Sequence, residues 1–595
     1  MDIFQLPIDQ LLLKRKGLRR QLSAAEGLQP VRIAVLGGST TNEVVDLLEL
    51  YLLASGFQPT FHQSEYGRYY EDAVVDPAAL VGFAPDIVYV HTSVRNLQHL
   101  PPVSATAAEL QRHVDLEFAR YQRIWTVLKE KLSAQIIQNN FELPPYALLG
   151  NYDVVAAGGA TRFVQELNAA FARAAESDPR LILQDVHTLS ARIGLEQWFD
   201  HERYFSYKVH VTPEGSVALA RSLTSLVRAI YGKTRKVLVL DLDNTLWGGV
   251  IGDEGADKIQ IGRETPIGEA YTAFQEYCLS LQRRGVLLAV CSKNNEEIAK
   301  QGFEHPDSVL RLSDFSCFKA NWEPKHENIL AIARELNVGV DSFVFVDDNP
   351  AERAIVEAQV PEVAVPNVGA GISHFAEVVD RGRYFEEITI SAEDLARATL
   401  YHSNAQRTKA ESRFATYGEY LHSLEMVAEI GRFRPVYMDR IAQLINKTNQ
   451  FNLTTKRYTL SELETIASDP NYIGIYGRLS DRFGDNGLIS IVLGRREGTV
   501  LHLDLWLMSC RVLKRDMELA MLDAIVDEAK AVGVRTLLGV YIPTKKNGMV
   551  ADHYEKLSFI KLGSEEDRIT RWSLALDDYK KRNTHISIQQ VNAIP

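Results

Sequence analysis

Lys236-Val-Leu-Val-Leu-Asp241-Leu-Asp243-Asn-Thr245-Leu-Trp247-Gly-Gly-Val-Ile-Gly-Asp253 is the stretch on which the reading of this chain turns. Val237 to Leu240 is a continuous apolar run, the pattern of a strand buried on both faces of a parallel sheet. Two aspartates follow it directly, at the strand end where an open α/β sheet presents its ligands. Extended backbone turns side chains two apart to the same side. Two carboxylates on one face repel, and a divalent cation between them relieves the repulsion. Phosphoryl transfer requires this kind of cluster: an oxygen nucleophile, an acid/base, and a metal to hold phosphate charge.

Three further pieces occur in order along the chain. Val290-Cys291-Ser292-Lys-Asn294 ends the next apolar run and offers a hydroxyl to a phosphate oxygen. Trp322-Glu-Pro-Lys325-His opens a helix, with proline suited to the start and a lysine able to neutralise phosphate. Val344-Phe-Val-Asp347-Asp348-Asn-Pro ends another strand with two more carboxylates for the metal. Each piece has a bland reading, since an aspartate after a strand is often only a helix cap and a lone lysine is usually solvated. Four such pieces in order, all at strand or helix ends, make a site.

These motifs resemble those of the FkbH-like proteins, a branch of the haloacid dehalogenase (HAD) superfamily, and the likeness runs from about residue 235 to about 570. The resemblance implies that Asp241 is the nucleophile and a metal ligand. It makes Asp243 the acid/base, with its carbonyl on the metal. Thr245 and Ser292 would hold phosphate, Lys325 would neutralise it, and Asp347 and Asp348 would complete the shell of a Mg²⁺ ion. The implied reaction is the capture of a glyceryl unit from 1,3-bisphosphoglycerate or a related acyl phosphate as a thioester. The unit is then dephosphorylated and passed to the phosphopantetheine arm of an acyl carrier protein, for polyketide-type biosynthesis. Independently, only about twenty residues, Trp247 to Pro266, precede the amphipathic helix expected near Ile267. That is too short for a folded cap, and an uncovered site admits an arm delivered by another protein.

Beyond residue 430 the pattern is a helix at Arg440 to Thr448, then two strands flanking the hairpin signal Asp485-Asn-Gly487. A long strand (Val500 to Leu507), a helix from about 516, a strand (Arg535 to Tyr541) and a helix near Met549 to Leu557 follow. This order resembles the GNAT acyltransferase fold, in which a glycine-bearing loop cradles pyrophosphate at a helix N-terminus. Here the loop is Ser509-Cys510-Arg511-Val-Leu-Lys514-Arg515-Asp516, with Lys514 and Asp516 where glycines would stand. The substitution speaks against free acyl-CoA, and Lys514 and Arg515 would instead meet a carrier's phosphate as point charges. By resemblance Cys510 holds the acyl group. A thiol near Arg511, Lys514, Arg515 and a helix start has its thiolate favoured, whereas the bland reading is a small buried hydrophobe. Cys291 is the rival thiol, although strand alternation turns it away if Ser292 faces the site.

In the first third, the apolar runs Val31 to Leu36, Asp86 to His91 and Ala134 to Gln138 alternate with helical patterns. Gly37-Gly38-Ser39-Thr40 resembles the opening block of SGNH hydrolases, with Ser39 as nucleophile, and Gly67, Asn96 and His210 fall in order for the later blocks. Tyr207 stands three before His210, where that family has its aspartate, and Arg95-Asn96 lacks the preceding glycine. A serine after Gly-Gly at a helix start is first of all an N-cap. A triad needs serine, base and orienter together, so the expectation is an SGNH-like fold with lost or altered chemistry.

The whole chain reads as α/β in three domains. These are an SGNH-like α/β domain at 1–233, a HAD-like Rossmannoid core with minimal cap at 234–390, and a GNAT-like α/β domain at 431–583. A helical connector spans 391–430 and a loose tail 584–595. Its 595 residues suit that number, at 46% hydrophobic and 24% charged. A net charge of −12 disfavours nucleic acid. Four cysteines make no disulfide framework, and the start lacks the pattern of a signal peptide, so a cytoplasmic location is expected. No apolar run reaches the ~18 residues of a membrane span. Oligomeric state is not legible. The alternative function is a Mg²⁺-dependent HAD phosphatase of a small phosphoester with accessory binding domains. A non-enzymatic carrier-docking scaffold is a third reading, against which the intact Asp241, Asp243, Lys325 and Asp348 set speaks.

Overall fold

The structure, a computed structural model, describes residues 3–369, 371–411, 414–509, 512–544, 546–564 and 569–590. Two compact units result: Met1–Arg228 with Thr459–Leu463, and Ala229–Tyr458 with Glu464–Pro595.

The first unit is built on five parallel strands: β1 (Gln29–Gly37), β2 (Phe57–Gln63), β3 (Ile87–His91), β4 (Gln135–Asn139) and β5 (Leu181–Gln184), in the order β2-β1-β3-β4-β5. The central strands β3 and β4 are buried along their whole length, as both-face coverage by helices requires. Edge strand β2 reads Phe-Gln-Pro-Thr-Phe-His-Gln, with a proline tolerated only at an edge, which hides it from a search for apolar runs. The long helix Ala107–Lys131 begins in a capping box, where Thr106 accepts from Glu109 N and the Glu109 carboxylate accepts from Thr106 N.

The second unit contains two separate sheets. One has four parallel strands, β6 (Val237–Leu240), β7 (Leu287–Ser292), β8 (Phe315–Ala320) and β9 (Phe343–Val346), in the order β8-β7-β6-β9. Alternation along these strands feeds two cores. Leu238, Leu240, Val290 and Val346 pack with Trp247 and Phe274, while Val237, Val239, Cys291 and Phe345 pack with Ile329 on the other face. Between Trp247 and Thr265 there is only a four-residue helix (Ile251–Glu254), one 3-10 turn and a Gly248–Gln260 bridge. The helix Pro266–Arg283 then starts with Thr265 accepting from Gly268 N and proline in its first turn.

The second sheet has eight strands: β10 (Met426–Arg432), β11 (Tyr472–Asp481), β12 (Gly484–Glu497), β13 (Val500–Met508), β14 (Thr536–Tyr541), β15 (Ile560–Ser564), β16 (Thr570–Ala575) and β17 (Ile586–Gln590). Their order is β15-β16-β14-β13-β12-β11-β10-β17. Two expectations are corrected here. The β11–β12 turn lies at Arg482-Phe483, with Asp481 opposite Gly484, and Asp485 to Gly487 is inside β12 where the register shifts. Asp481 Oδ1 accepts from Phe483 N at 2.8 Å and starts the turn three residues early, while Gly487 takes φ +70° at the irregularity. The loose tail is also an error in part, because Ile586–Gln590 pairs parallel with Met426–Ile430 and Ile586 is buried. A five-residue strand gains its order from a partner some 160 residues earlier, a pairing no local pattern signals. Between 391 and 430 there are three helices (Ala392–Leu395, Arg397–Glu411 and Tyr417–Ser423) before β10 begins at Met426.

Strands β13 and β14 pair only from Val500–Leu503 to Thr536–Gly539 and then part. The gap is filled by Phe451 to Thr454. Leu453 N donates to Trp506 O at 3.1 Å, Ile542 N donates to Leu453 O at 2.9 Å, and Met508 N donates to Phe451 O at 3.1 Å.

Candidate phosphotransfer site

Asp241 leaves β6 with its N–H donating to Val346 O at 3.0 Å, so the last rung to β9 sets its position. Carboxylate oxygens of Asp241, Asp347 and Asp348 lie within 4.8 Å of one another. Lys325, the first residue of the helix Lys325–Leu336, is almost wholly buried. Its Nζ stands 3.0 Å from Asp241 Oδ1 and 2.5 Å from Asp347 Oδ2. Burial alone would lower the lysine's pKa, but the Asp241 and Asp347 charges outweigh it and hold it above the ordinary value. Burial first, then the Asp241 charge, pushes Asp347 and Asp348 above the usual carboxylate range, against the pull of Lys325. Arg353 Nη1 donates to the carbonyls of Asp347 (2.6 Å) and Asp348 (2.7 Å) and fixes this loop. Thr245 Oγ1 accepts from Asp348 N at 3.2 Å, which ties the first motif to the last.

A divalent cation fits these residues. Three carboxylates against one ammonium leave two negative charges uncompensated (−3 + 1 = −2) in a largely buried space. Asp241 Oδ1 is buried and, although near Lys325 Nζ, accepts no hydrogen bond there. The donor set is all oxygen, which suits Mg²⁺.

The Asp243 side chain stands apart from that cluster. Its Oδ1 accepts from Trp247 Nε1 (2.9 Å) and Ile251 N (3.1 Å), and its Oδ2 accepts from Asn294 Nδ2 (3.0 Å). Of the four aspartates expected at the metal, the carboxylates of three converge, and that of Asp243 is oriented by donors instead. Burial raises its pKa. Trp247 and Asn294 lie inside motifs legible in the sequence, yet nothing local marks them as partners of Asp243. Asn244, the residue after Asp243, takes the left-handed region, φ +56°, and its Oδ1 accepts from Gly249 N at 3.0 Å. Ser292 is buried at the carboxyl end of β7, with its carbonyl accepting from Asn321 N.

Among the thiols, Cys291 points into the core on the far face from Ser292, and its Sγ donates to Lys325 O at 3.5 Å. Burial pushes its pKa up, as it does for Cys278 and Cys317, so none of the three favours a thiolate. Cys510 and Arg511 lie outside the described residues. Lys514 is exposed at φ +62° and Asp516 sits at φ +58°, so the loop adopts left-handed conformations at both positions without glycine. Arg515 corrects the expectation of a free point charge. It is buried, its Nη1 lies 3.0 Å from Asp481 Oδ2, and its Nη2 donates to Asn404 Oδ1. Burial lowers its pKa to about 10.

In the first unit, Ser39 is buried just beyond β1. Thr40 N donates to Lys208 O at 2.9 Å, which brings that loop beside the segment leading to His210. His210 does have a carboxylate, contrary to the expectation from Tyr207: its Nε2 lies 2.6 Å from Glu142 Oε1, both side chains buried. Glu142 follows β4, remote in sequence from His210, so no spacing rule reveals it. Asn96 Nδ2 donates to Gly38 O at 2.9 Å, and a Cβ on Gly38 would lie 2.4 Å from Asn96 Oδ1, so glycine is required there. Gly67 takes φ +75°. His91 is buried nearby, and burial lowers its pKa to about 4.

No protein-family model matches the chain. No curated protein matches it either. Among solved structures, the ribosomal-protein-S18-alanine N-acetyltransferase from Escherichia coli is 11% identical, covering 27% of this chain and 99% of its own, at TM-score 0.21. The GNAT domain of S. lividans PAT is 12% identical, covering 25% of this chain and 89% of its own, also at TM-score 0.21. Superpositions at that score do not establish a shared fold. The N-terminal part of the protein BF1531 from Bacteroides fragilis, described as containing a phosphatase domain complexed with Mg, is 31% identical at TM-score 0.59. The match covers 63% of this chain and 99% of that one. With that identity over nearly the whole of the solved chain, this protein belongs to the family of BF1531, the phosphatase-domain protein of B. fragilis.

Proposed function

We propose that the second unit is a Mg²⁺-dependent phosphatase working through an aspartyl-phosphate, and that it serves the loading of a glyceryl unit onto an acyl carrier protein. The observation that carries the phosphatase is the convergence of Asp241, Asp347 and Asp348 on one point with Lys325 between them. The likeness to the Mg-complexed phosphatase domain of BF1531 supports it. Asp241 attacks phosphorus, a bond forms from its carboxylate oxygen, and the bond from phosphorus to the leaving oxygen breaks. Asp243 gives that oxygen its proton. It then takes a proton from water, whose oxygen attacks the aspartyl-phosphate; inorganic phosphate and free Asp241 result, with Asp243 protonated again. Lys325, Thr245 and Ser292 hold the transferring group. Mg²⁺, when bound, supplies the charge that lets an anionic nucleophile approach an anionic phosphate.

The finer reading adds two acyl steps. The Cys510 thiolate attacks the acyl carbon of 1,3-bisphosphoglycerate, a carbon–sulfur bond forms, and inorganic phosphate leaves. The remaining phosphate is removed at Asp241. The thiol of the carrier's phosphopantetheine arm then displaces Cys510. The burial of Cys278, Cys291 and Cys317 supports Cys510 by leaving it as the remaining cysteine. The strand order of the C-terminal sheet, with β13 and β14 parallel and then parting, is compatible with a GNAT-like domain.

The test is intact-protein mass after incubation with the acyl phosphate, comparing wild type, Cys510→Ala and Cys291→Ala. A hydroxylamine-sensitive glyceryl adduct is expected in wild type and Cys291→Ala and absent from Cys510→Ala, with transfer to the carrier lost in parallel. An adduct kept in Cys510→Ala but lost in Cys291→Ala would move the thiol to the phosphatase domain. Loading intact in both would remove the covalent step and leave a plain phosphatase of a small phosphoester.

A further inference from the structure

The second unit has a second concave site, at the other edge of the sheet that carries the phosphate chemistry. A cavity of about 580 Å³ opens against Lys236, Leu287 and Ser342, the residues from which β6, β7 and β9 start. Such a volume is that of an ordinary small-molecule site. Asp241, Ser292 and Asp347 lie at the opposite ends of the same strands. The four residues of β6 separate Lys236 from Asp241, five steps or roughly 16 Å at about 3.3 Å per residue. The far wall of the cavity comes from the helices around Arg397 and Leu444, from Thr448 to Phe451, and from Ser509.

The lining decides the class of ligand. Its five cations all have protein partners. Lys447 Nζ lies 3.0 Å from Glu387 Oε2, and Arg397 pairs with Asp394. Lys546 pairs with Asp341, Arg440 with Gln443 and Glu393, and Lys236 Nζ donates to Lys447 O. Four carboxylates share the same walls, so almost no charge is left for an anion. The remaining lining is apolar at Leu287, Val338, Val340, Tyr401, Leu444 and Phe451 and neutral but polar at Asn337, Ser342, Thr448, Asn449, Gln450 and Ser509. Gln450 lines the cavity, and its Oε1 is buried and accepts no hydrogen bond among the described residues. An amide N–H from a ligand satisfies such an acceptor. An extended amide chain has no alternative berth between β13 and β14, because Phe451 to Thr454 already take the backbone groups of that gap.

We infer that this cavity is the berth of an uncharged, amide-bearing thiol arm of the pantetheine type, spatially separate from the phosphate site. The inference rests on the carrier reading for its biological source, but the binding chemistry stands on the lining alone. A phosphorylated group is handled at the carboxyl ends of the strands and the neutral arm at their starts.

The probe is pantetheine itself, with the full chain, measured by calorimetry or ligand-observed NMR. Wild type is expected to bind it, and excess inorganic phosphate is expected not to displace it. Leu444→Trp fills the cavity and should weaken binding at least tenfold; Gln450→Leu keeps the volume, removes the acceptor and should weaken it severalfold. If Leu444→Trp melts well below wild type, Gln450→Leu decides. No binding to wild type, undiminished binding in the folded variants, or displacement by phosphate overturns the inference. Carrier loading by a protein that does not bind pantetheine would sink this berth and spare the carrier reading. Pantetheine binding without loading from any acyl phosphate would do the reverse.

Discussion

At the scale of single residues, three carboxylates and one ammonium share the space beyond β6, and the metal prediction follows from their imbalance. Chelation is expected to silence phosphate release and added Mg²⁺ to restore it, because the uncompensated charge repels phosphate as well as itself. Asp241→Asn should lower phosphate release by at least a thousandfold while the melting temperature stays within a few degrees, since the change is isosteric and relieves repulsion. Release at the wild-type rate from that variant, measured by free phosphate, would remove Asp241 as nucleophile. His553 supports a prediction on pH. It is buried against Trp506 and Phe451, its Nε2 has no hydrogen-bond partner among the described residues, and burial lowers its pKa to about 3. The unfolded chain takes up a proton near pH 6.5 and the native one does not, so stability falls as pH drops from about 6.5 towards 3. The slope from this group is at most about 1.4 kcal/mol per pH unit. His553→Phe should flatten the acid side of a plot of denaturant midpoint against pH; an unchanged slope would refute the assignment.

At the scale of elements, the C-terminal sheet ends in a strand that arrives last. β17 covers the edge of β10 and buries Ile586. A chain stopped after Asn583 should lose about 1.5–3 kcal/mol from that side chain alone, and it would expose a row of unpaired backbone groups to other chains. A lower melting temperature and new concentration-dependent light scattering are the expected results. Unchanged values for both would mean that β17 adds nothing to the sheet. The Arg407–Asp481–Arg515 triple beneath the β11–β12 turn is a second case, in which one buried carboxylate serves two guanidinium groups. It explains why Arg515, so promising as a surface cation in a basic run, is spent inside the fold.

At the scale of the whole molecule, each unit carries its own set of candidate residues. Ser39, Glu142 and His210 lie in the first; Asp241 and Lys325 lie in the second. Ser39→Ala should therefore leave both phosphate release and carrier loading intact. Loss of loading in a variant with an unchanged melting temperature would require a route through the first unit, and the Glu142–His210 pair would then be its natural base.

How much of this was legible follows from how local each feature is. Asp241, Ser292 and the Asp347-Asp348 pair could be found in the sequence because an apolar run followed by a polar residue marks the carboxyl end of a buried parallel strand, and such ends converge; Lys325 was legible instead from the proline that opens its helix. The helix at Pro266 was legible for the same kind of reason, since Thr-Pro carries its own cap. What the sequence could not reveal needed a partner distant along the chain. Glu142 reaches His210 across 68 positions, Arg515 reaches Asp481 across 34, and Asn294 orients Asp243 from the next strand. The place of the turn near Asp481, the order of residues 586–590 and the filled gap between β13 and β14 are likewise outcomes of pairing rather than of propensity. A sequence states which residues can cap, turn or bind; only packing decides which of those capacities remain unspent at the surface of a site.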